Sequence, residues 1–196
     1  MQTNHTTRHN HALVIGGSIA GLLAARVLSE YFTHVTIIER DPLPTGAATR
    51  KGAPQGRHGH GLLAGGYQAI EELLPGIGAE WIAAGALPCD LIGDMRWYGM
   101  GGYKAKFQSG LRGVILSRPL LEAVLRRRVL ALPNVRLQED NVRDLIANTT
   151  ANRITGVRLE SGVVVQADLV VDAAGRGSRS LAWLEALGYP KPPEEV

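Results

Sequence analysis

Apolar residues first recur along the chain as strand, helix and strand. Ala12 to Ile15 is an unbroken apolar run of the kind a buried parallel strand needs. Ile19, Leu22, Leu23 and Val27 fall on one face of a helix of period 3.6, and Val35 to Ile38 makes a second strand. Asp41 to Gly61 is polar and rich in glycine and proline, too long for a simple connection, and reads as a ligand loop or a disordered one. Helical spacing resumes from Leu62 to Leu74, where Pro75-Gly76 ends it. Arg96-Trp97-Tyr98 and Tyr103 to Phe107 alternate about a Gly-Met-Gly-Gly tip and predict a hairpin, and Gly113 to Leu116 predicts a strand. Ser117 caps a helix with Pro119 in its first turn and Leu121, Val124, Leu125 and Val129 as its apolar stripe. Val135–Leu137, Val142–Ile146, Ile154–Leu159 and Val163–Gln166 predict a small antiparallel β-meander. Asp168 to Asp172 reads as a buried strand running into a last helix near Leu181 to Leu187. The expected fold is α/β, with a parallel sheet and an appended meander.

The turn between the first strand and helix carries chemistry. In Gly16-Gly17-Ser18-Ile19-Ala20-Gly21, Gly16 permits a sharp turn, Ser18 stands where a pyrophosphate approaches, and Gly21 lets the helix lie close to the sheet. The amides at the helix start then face phosphate. Glu39 ends the second strand, 18 residues after Gly21, where a carboxylate accepts hydrogen bonds from ribose hydroxyls. Ser18 departs from the G-x-G-x-x-G pattern: its Cβ crowds the phosphate approach, and its hydroxyl offers a hydrogen bond instead. Arg8 followed by fourteen uncharged residues, Ala12 to Ala25, imitates a secretory signal. The three glycines inside that run and the strand directly after it argue against one.

Composition narrows the class. At 196 residues, 45% hydrophobic and 20% charged, with 24 glycines, the chain reads as a turn-rich globular domain, with residues 1–10 a flexible terminus. No apolar run approaches the roughly 18 residues that span a bilayer. Cys89, the only cysteine, excludes an intramolecular disulfide, suits a reducing cytoplasm and reads as a small core residue. Net charge is +3, and the one basic cluster, Arg126-Arg127-Arg128, reads as the wet side of a helix; no aromatic platform accompanies it, so nucleic acid is not an expected partner. His58 and His60 alternate as metal ligands do, but no third ligand completes a site; His5, His9 and His11 read as a frayed terminus, and no metal is expected. Ser178 lacks the glycines of a hydrolase elbow, which excludes acyl transfer.

Three separated segments together resemble the FAD-binding half of the flavoprotein monooxygenases, the group of p-hydroxybenzoate hydroxylase and squalene epoxidase. They are Gly16 to Gly21 with Glu39-Arg40, Leu116-Ser117-Arg118-Pro119 through Leu125, and Ala167 to Ser178. The Pro54 to His60 loop and the ending Trp183 to Pro190 are similar to bacterial epoxidase-like FAD-dependent oxidoreductases. The resemblance implies that residues 1–196 are a Rossmann-like FAD-binding domain, the amino-terminal portion of a longer protein. It implies that Gly16, Gly17, Ser18, Ile19, Ala20 and Gly21 hold the FAD pyrophosphate, with Glu39 on the adenosine ribose and Arg40 near the adenine. It places Arg118 on a phosphate or flavin-side hydroxyl, and Asp172 and Gly175 in a second cofactor fingerprint. There the segment reads Ala173-Ala174-Gly175 and the usual aspartate is missing, which puts its dual FAD and NAD(P)H role in question. Arg57 and His58 fall in a loop near the isoalloxazine; Arg57 counts as a cofactor contact, and both are the only catalytic candidates, able to stabilise negative charge on reduced flavin. The implied reaction is NAD(P)H-driven insertion of oxygen into a small apolar alkene or aromatic, with little turnover by this chain alone. A flavin-dependent prenyl-chain reductase or halogenase, an NAD(P)-binding dehydrogenase and a non-catalytic nucleotide-binding module are the alternatives.

Overall fold

A computed structural model describes residues 9–50, 52, 54–150 and 152–193. In chain order the elements are β1 (His9–Ile15), α1 (Ile19–Tyr31), β2 (Phe32–Glu39), β3 (Gly59–Leu62), α2 (Ala64–Leu73), α3 (Ile77–Ala83), β4 (Leu87–Asp90), β5 (Tyr98–Gly99), β6 (Gly102–Tyr103) and β7 (Arg112–Ser117). There follow α4 (Arg118–Leu130), β8 (Val135–Glu139), β9 (Val142–Ala147), β10 (Ile154–Leu159), β11 (Val164–Gln166), β12 (Leu169–Asp172) and α5 (Ser180–Ala186). They divide into two compact units, one of Met1–Leu43 with Val129–Val196 and the other Pro44–Arg128.

The first unit is built on a parallel sheet of order β12-β1-β2-β8. Ala12, Leu13, Val14 and Ile37 are fully buried, as strands covered on both faces require. Register pairs Ile15 with Ile38 and with Asp172, so the carboxyl ends of β1, β2 and β12 finish level. A second sheet, β11-β10-β9, is antiparallel. Its Val142, Val157 and Leu159 form one core with Leu13, Ile15, Ile38 and Trp183 of α5.

Several sequence expectations are corrected here. Val135–Leu137 is not part of the meander but lies in β8, parallel to β2, where the Asn134 amide donates to the carbonyls of Ser29 and Phe32. On α1 the buried residues are Gly21, Leu22, Ala25 and Ser29, whereas Val27 is exposed. Asp168–Asp172 is an edge strand rather than a buried one, with Leu169 and Asp172 exposed. His9 and Asn10 belong to β1, and His11 bridges the Gln166 carbonyl and the Thr36 hydroxyl, at 2.8 Å each, so neither histidine is frayed. His5 lies outside the described residues.

The second unit holds an antiparallel sheet of order β3-β7-β4, the helices α2 and α3, and residues 118–128 of α4. The long polar segment is not all loop, since Pro54–Arg57 makes a turn of 3₁₀ helix and β3 starts at Gly59. Helical spacing ends at α2 as Pro75 requires, and the additional α3 is anchored by fully buried Ile77 and Trp81. The β5–β6 hairpin forms on the two-residue turn Met100-Gly101, both at positive φ, with the Tyr98 and Tyr103 rings 5.1 Å apart. In α4, the Leu120 amide donates to the Ser117 hydroxyl, and Leu121, Val124, Leu125 and Val129 are all buried.

The arginine triplet is a wet face only in part, since Arg127 is exposed and Arg128 half-buried. Arg126 is buried and donates to the carbonyls of Pro44 (2.5 Å) and Gly46 (3.1 Å), while Arg127 and Arg128 both bind Glu80. Their donors satisfy loop carbonyls and one carboxylate that water would otherwise serve.

Candidate cofactor-binding site

The carboxyl edge of the parallel sheet gathers most of the candidate residues of the first unit. Gly16 leaves β1 at φ 103°, its amide donating to the Ile38 carbonyl at 2.8 Å. A Cβ there would meet the Ala173 carbonyl oxygen at 2.7 Å, so the glycine turn and the segment after β12 fit only without a side chain. At Gly21 a Cβ would lie 1.8 Å from the Gly16 carbonyl oxygen, which makes this the tightest of the glycine contacts and lets α1 start directly over the turn.

Ser18 is the N-cap of α1, with extended backbone and no side-chain capping bond, and the first turn carries no acidic residue. The first intrahelical bond runs from the Leu22 amide to the Ser18 carbonyl, 2.9 Å. The amides of Ile19, Ala20 and Gly21 therefore precede any intrahelical acceptor. A glycine-lined approach to a helix start without an acidic side chain fits a phosphate group, by shape and by the sign of the helix dipole.

Glu39 is buried, at 7% exposure, and faces this turn. Its Oε2 accepts from the Gly17 amide at 2.8 Å and its Oε1 from the Asp41 amide at 3.1 Å. The carboxylate thus braces the turn as well as ending β2. Arg40 is exposed beside it, its Nε 3.7 Å from Asp41. The Arg40 guanidinium also lies near Gly177, in the loop after β12, where an added Cβ would meet it at 3.8 Å.

In that loop the Asp172 carboxylate accepts from the Ala174 amide at 2.8 Å, from the Ser178 hydroxyl at 2.5 Å and from the Ser180 hydroxyl. Burial opposes ionisation, but the two serines and the amide hold the Asp172 carboxyl below the usual carboxylate range. Gly175 takes φ 64° and opens a short 3₁₀ turn. Ser178 serves as a donor to a structural carboxylate.

Arg57, His58 and Arg118 belong to the second unit. Arg57 closes the 3₁₀ turn and is exposed, as is His58, whose carbonyl accepts from His60 Nδ1 at 2.9 Å. Among the described residues no group of three or more His, Cys, Asp or Glu is placed to hold a metal. Arg118 starts α4 and donates Nε to Glu122 at 2.8 Å. The helix dipole disfavours a cation at that end, and the Glu122 carboxylate one turn on offsets it.

Sequence reasoning missed Glu122, Arg50 and Arg126, although Arg118, Glu122 and Arg126 recur at four-residue spacing, which marks one helix face. It also misplaced Cys89, which is half-buried and lines a cleft of about 520 Å³ with Tyr67, Asp94, Gln108 and Arg112. Burial pushes the Cys89 thiol up, with the charges of Asp94 and Asp90 adding to it. Asp90 clamps the neighbouring loop by accepting from the amides of Ile92, Gly93, Ser109 and Gly110 and the Ser109 hydroxyl. The Gly93 amide first, then the other donors, hold its carboxyl far below the ordinary range.

A parallel sheet whose first glycine turn opens a helix, with an acid ending the second strand, is the arrangement of a Rossmann-like fold. Residues 14–73 match the family described as NAD(P)-binding Rossmann-like domain, and residues 115–190 the family described as tryptophan halogenase. Protein Rv3254 of Mycobacterium tuberculosis is 42% identical over 200 residues, covering 95% of this chain and 42% of that protein. PqsL of Pseudomonas aeruginosa, described as a probable FAD-dependent monooxygenase, superposes with a TM-score of 0.68 at 19% identity, over 94% of this chain and 48% of its own. The tetrameric form of 2-methyl-3-hydroxypyridine-5-carboxylic acid oxygenase gives 0.56 at 25% identity, over 84% and 38%. The chain has the fold of the FAD-dependent monooxygenases, and it spans about two-fifths of the length of the curated relative it matches. No helix among the described residues is long and apolar enough to cross a membrane.

Proposed function

We propose that this chain is the FAD-binding part of a flavin-dependent monooxygenase that uses NAD(P)H as reductant, works in a reducing cytoplasm and oxygenates a small apolar alkene or aromatic. The observation that carries the reading is the start of α1, with no side-chain cap or acid in its first turn, over a glycine turn braced by Glu39. Ile19, Ala20 and Gly21 offer backbone N–H groups to the pyrophosphate, while Gly16 and Gly17, whose amides bond the Ile38 carbonyl and Glu39, shape the turn around it together with Ser18. A carboxylate accepts about four hydrogen bonds, so Glu39 takes ribose hydroxyls while bracing the turn. Arg40 lies toward the adenine, Arg118 grips a phosphate, and Asp172 and Gly175 shape the second approach. Arg57 and His58 are candidates for stabilising negative charge on the cofactor ring. Bound FAD supplies the redox and oxygen chemistry, while the protein binds, orients and excludes water.

The match of residues 115–190 to the tryptophan halogenases favours a second reading, in which the same flavin serves halogenation. Purified protein tests the cofactor assignment. A flavin spectrum on addition of FAD, with weak FAD binding on titration of this chain alone, is expected. Colourless protein that binds NADPH and ignores FAD would replace the reading with a nicotinamide dehydrogenase. In the complete enzyme, a hydroxylated or epoxidised product supports oxygenation, and a product halogenated only in the presence of halide supports the second reading.

A further inference from the structure

The β5–β6 hairpin and its flanks, all within the second unit, hold their large side chains in solvent. Every residue from Arg96 to Gln108 is exposed, with Tyr98 at 67%, Tyr103 at 69% and Phe107 at 62%, and Met100 at the tip wholly so. This is not a loose loop. Trp97 Nε1 donates to the Leu91 carbonyl at 2.7 Å, the Lys104 amide donates to the Trp97 carbonyl at 2.8 Å, and Asp90 accepts from the amides of Ser109 and Gly110. The apolar side chains are therefore presented outward by an element whose base is fixed.

Met100 takes φ 52° and is the only non-glycine residue at positive φ among the described residues. Two-residue hairpin turns of this kind favour Asn, Asp or Gly, and a bulky side chain in the left-handed region is unfavourable. With its side chain in solvent, Met100 offsets none of that by packing inside the unit. Charge adds a second, independent feature. From Met95 to Leu121 the sequence has no Asp or Glu, whereas Arg96, Lys104 and Lys106 flank the aromatic residues. The nearest acids before that stretch, Asp90 and Asp94, bind amides at its base. Aromatic rings with polar tips beside long cations, around an apolar tip, are the composition that suits the boundary between lipid headgroups and acyl chains. A second copy of the hairpin would instead set like cations against one another.

We propose that the β5–β6 hairpin docks on the surface of a bilayer containing anionic lipids, with Met100 entering the acyl boundary, Tyr98, Tyr103 and Phe107 at headgroup level, and Arg96, Lys104 and Lys106 on lipid phosphates. The docking is peripheral, and it is independent of the cofactor reading.

The test is cosedimentation with vesicles of phosphatidylcholine alone, or in equal parts with phosphatidylglycerol, using both this chain and the complete protein. Binding to the anionic vesicles is expected, with little to the neutral ones and release in about 1 M salt, where the Debye length falls to about 3 Å. A cation near an anionic surface contributes about fivefold in affinity, so Lys104→Gln/Lys106→Gln weakens binding about 25-fold. Both side chains are exposed, so this variant reads binding without disturbing the fold. Met100→Asn removes the apolar tip and weakens binding about tenfold, while Asn suits the left-handed position and keeps or raises the melting temperature. A merely structural Met100 would instead lose melting temperature in step with binding, which overturns its role. No binding to anionic vesicles, equal binding to neutral ones, or equal binding by wild type and both variants overturns the proposal. So does binding by this chain that the complete protein lacks, which means that the rest of that protein covers the hairpin. A dimer that forms without lipid and that Met100→Asn dissolves assigns the face to a second copy and overturns it likewise.

Discussion

Gly21→Ala puts the sharpest demand on the glycine turn. A Cβ at this position stands 1.8 Å from the Gly16 carbonyl oxygen and 3.3 Å from a Val14 methyl, in a helix whose Gly21, Leu22, Ala25 and Ser29 are buried. The clash is with backbone, so no rotamer relieves it. Either α1 lifts by about 1 Å along its packed face or the turn deforms, and overpacking of this kind costs about 1–3 kcal/mol or somewhat more. Helix propensity works the other way by up to about 1 kcal/mol, which leaves a net loss of about 2 kcal/mol. For a protein of this size that lowers Tm by about 4–8 °C. The same displacement moves the Ile19–Gly21 amides off the phosphate position, and FAD affinity falls by at least about tenfold, 1.4 kcal/mol. Thermal melting with and without FAD measures both. Gly65→Ala in α2, where nothing lies within 4 Å of an added Cβ, is the control and is expected to be neutral or slightly stabilising. Coincident melting of the two variants would refute the packing argument, and wild-type FAD binding by Gly21→Ala would refute the placement of the cofactor over this turn.

Other perturbations read separate parts of the molecule. Glu39→Gln leaves one acceptor oxygen for the amides of Gly17 and Asp41, and is expected to destabilise by about 1–3 kcal/mol in urea unfolding and to weaken FAD binding more than tenfold. Leu125→Ala empties a fully buried position on α4 and should lower urea stability by about 2–5 kcal/mol without altering FAD affinity per folded molecule. The Asp90 carboxyl is depressed in the folded state, so the unfolded chain binds its proton first. Its stabilisation is complete above the unfolded-chain value of about 3.9 and is lost as pH falls below it. Asp90→Asn therefore lowers stability at pH 7 and flattens its decline between about pH 4 and 2, as followed by urea unfolding; an unchanged slope would show that other carboxylates carry the acid response.

The features legible in the sequence are those that local sterics fix. Gly16 and Gly21 mark a turn and a close approach because only glycine tolerates a Cβ-free contact with backbone, and Glu39 marks the end of β2 because strand length is set by the apolar run before it. What stayed hidden depends on partners far away in sequence. The run at Val135 looks the same whether it pairs antiparallel in a meander or parallel beside β2, and the deciding bonds come from Asn134 to the carbonyls of Ser29 and Phe32. A stretch of three arginines reads as solvated until the carbonyls of Pro44 and Gly46 and the carboxylate of Glu80 supply acceptors for it. Likewise Val27 satisfied the helical period, and the buried face instead runs through Gly21, Leu22, Ala25 and Ser29.

The nucleotide edge is held redundantly, and that redundancy is itself informative. The glycine turn is tied to β2 by the Gly16 amide on the Ile38 carbonyl and again by the Gly17 amide on Glu39, while Gly16 lies against the Ala173 carbonyl beyond β12. Three strands thus position one turn that contributes little to the hydrophobic core. A connection needed only to join β1 to α1 does not require a buried carboxylate, since burying a charge is unfavourable unless its partners are fixed. Holding Glu39 and the helix-start amides in one rigid arrangement makes physical sense where a ligand with hydroxyls and phosphates must meet donors and acceptors already in place, so that little ordering entropy is lost on binding.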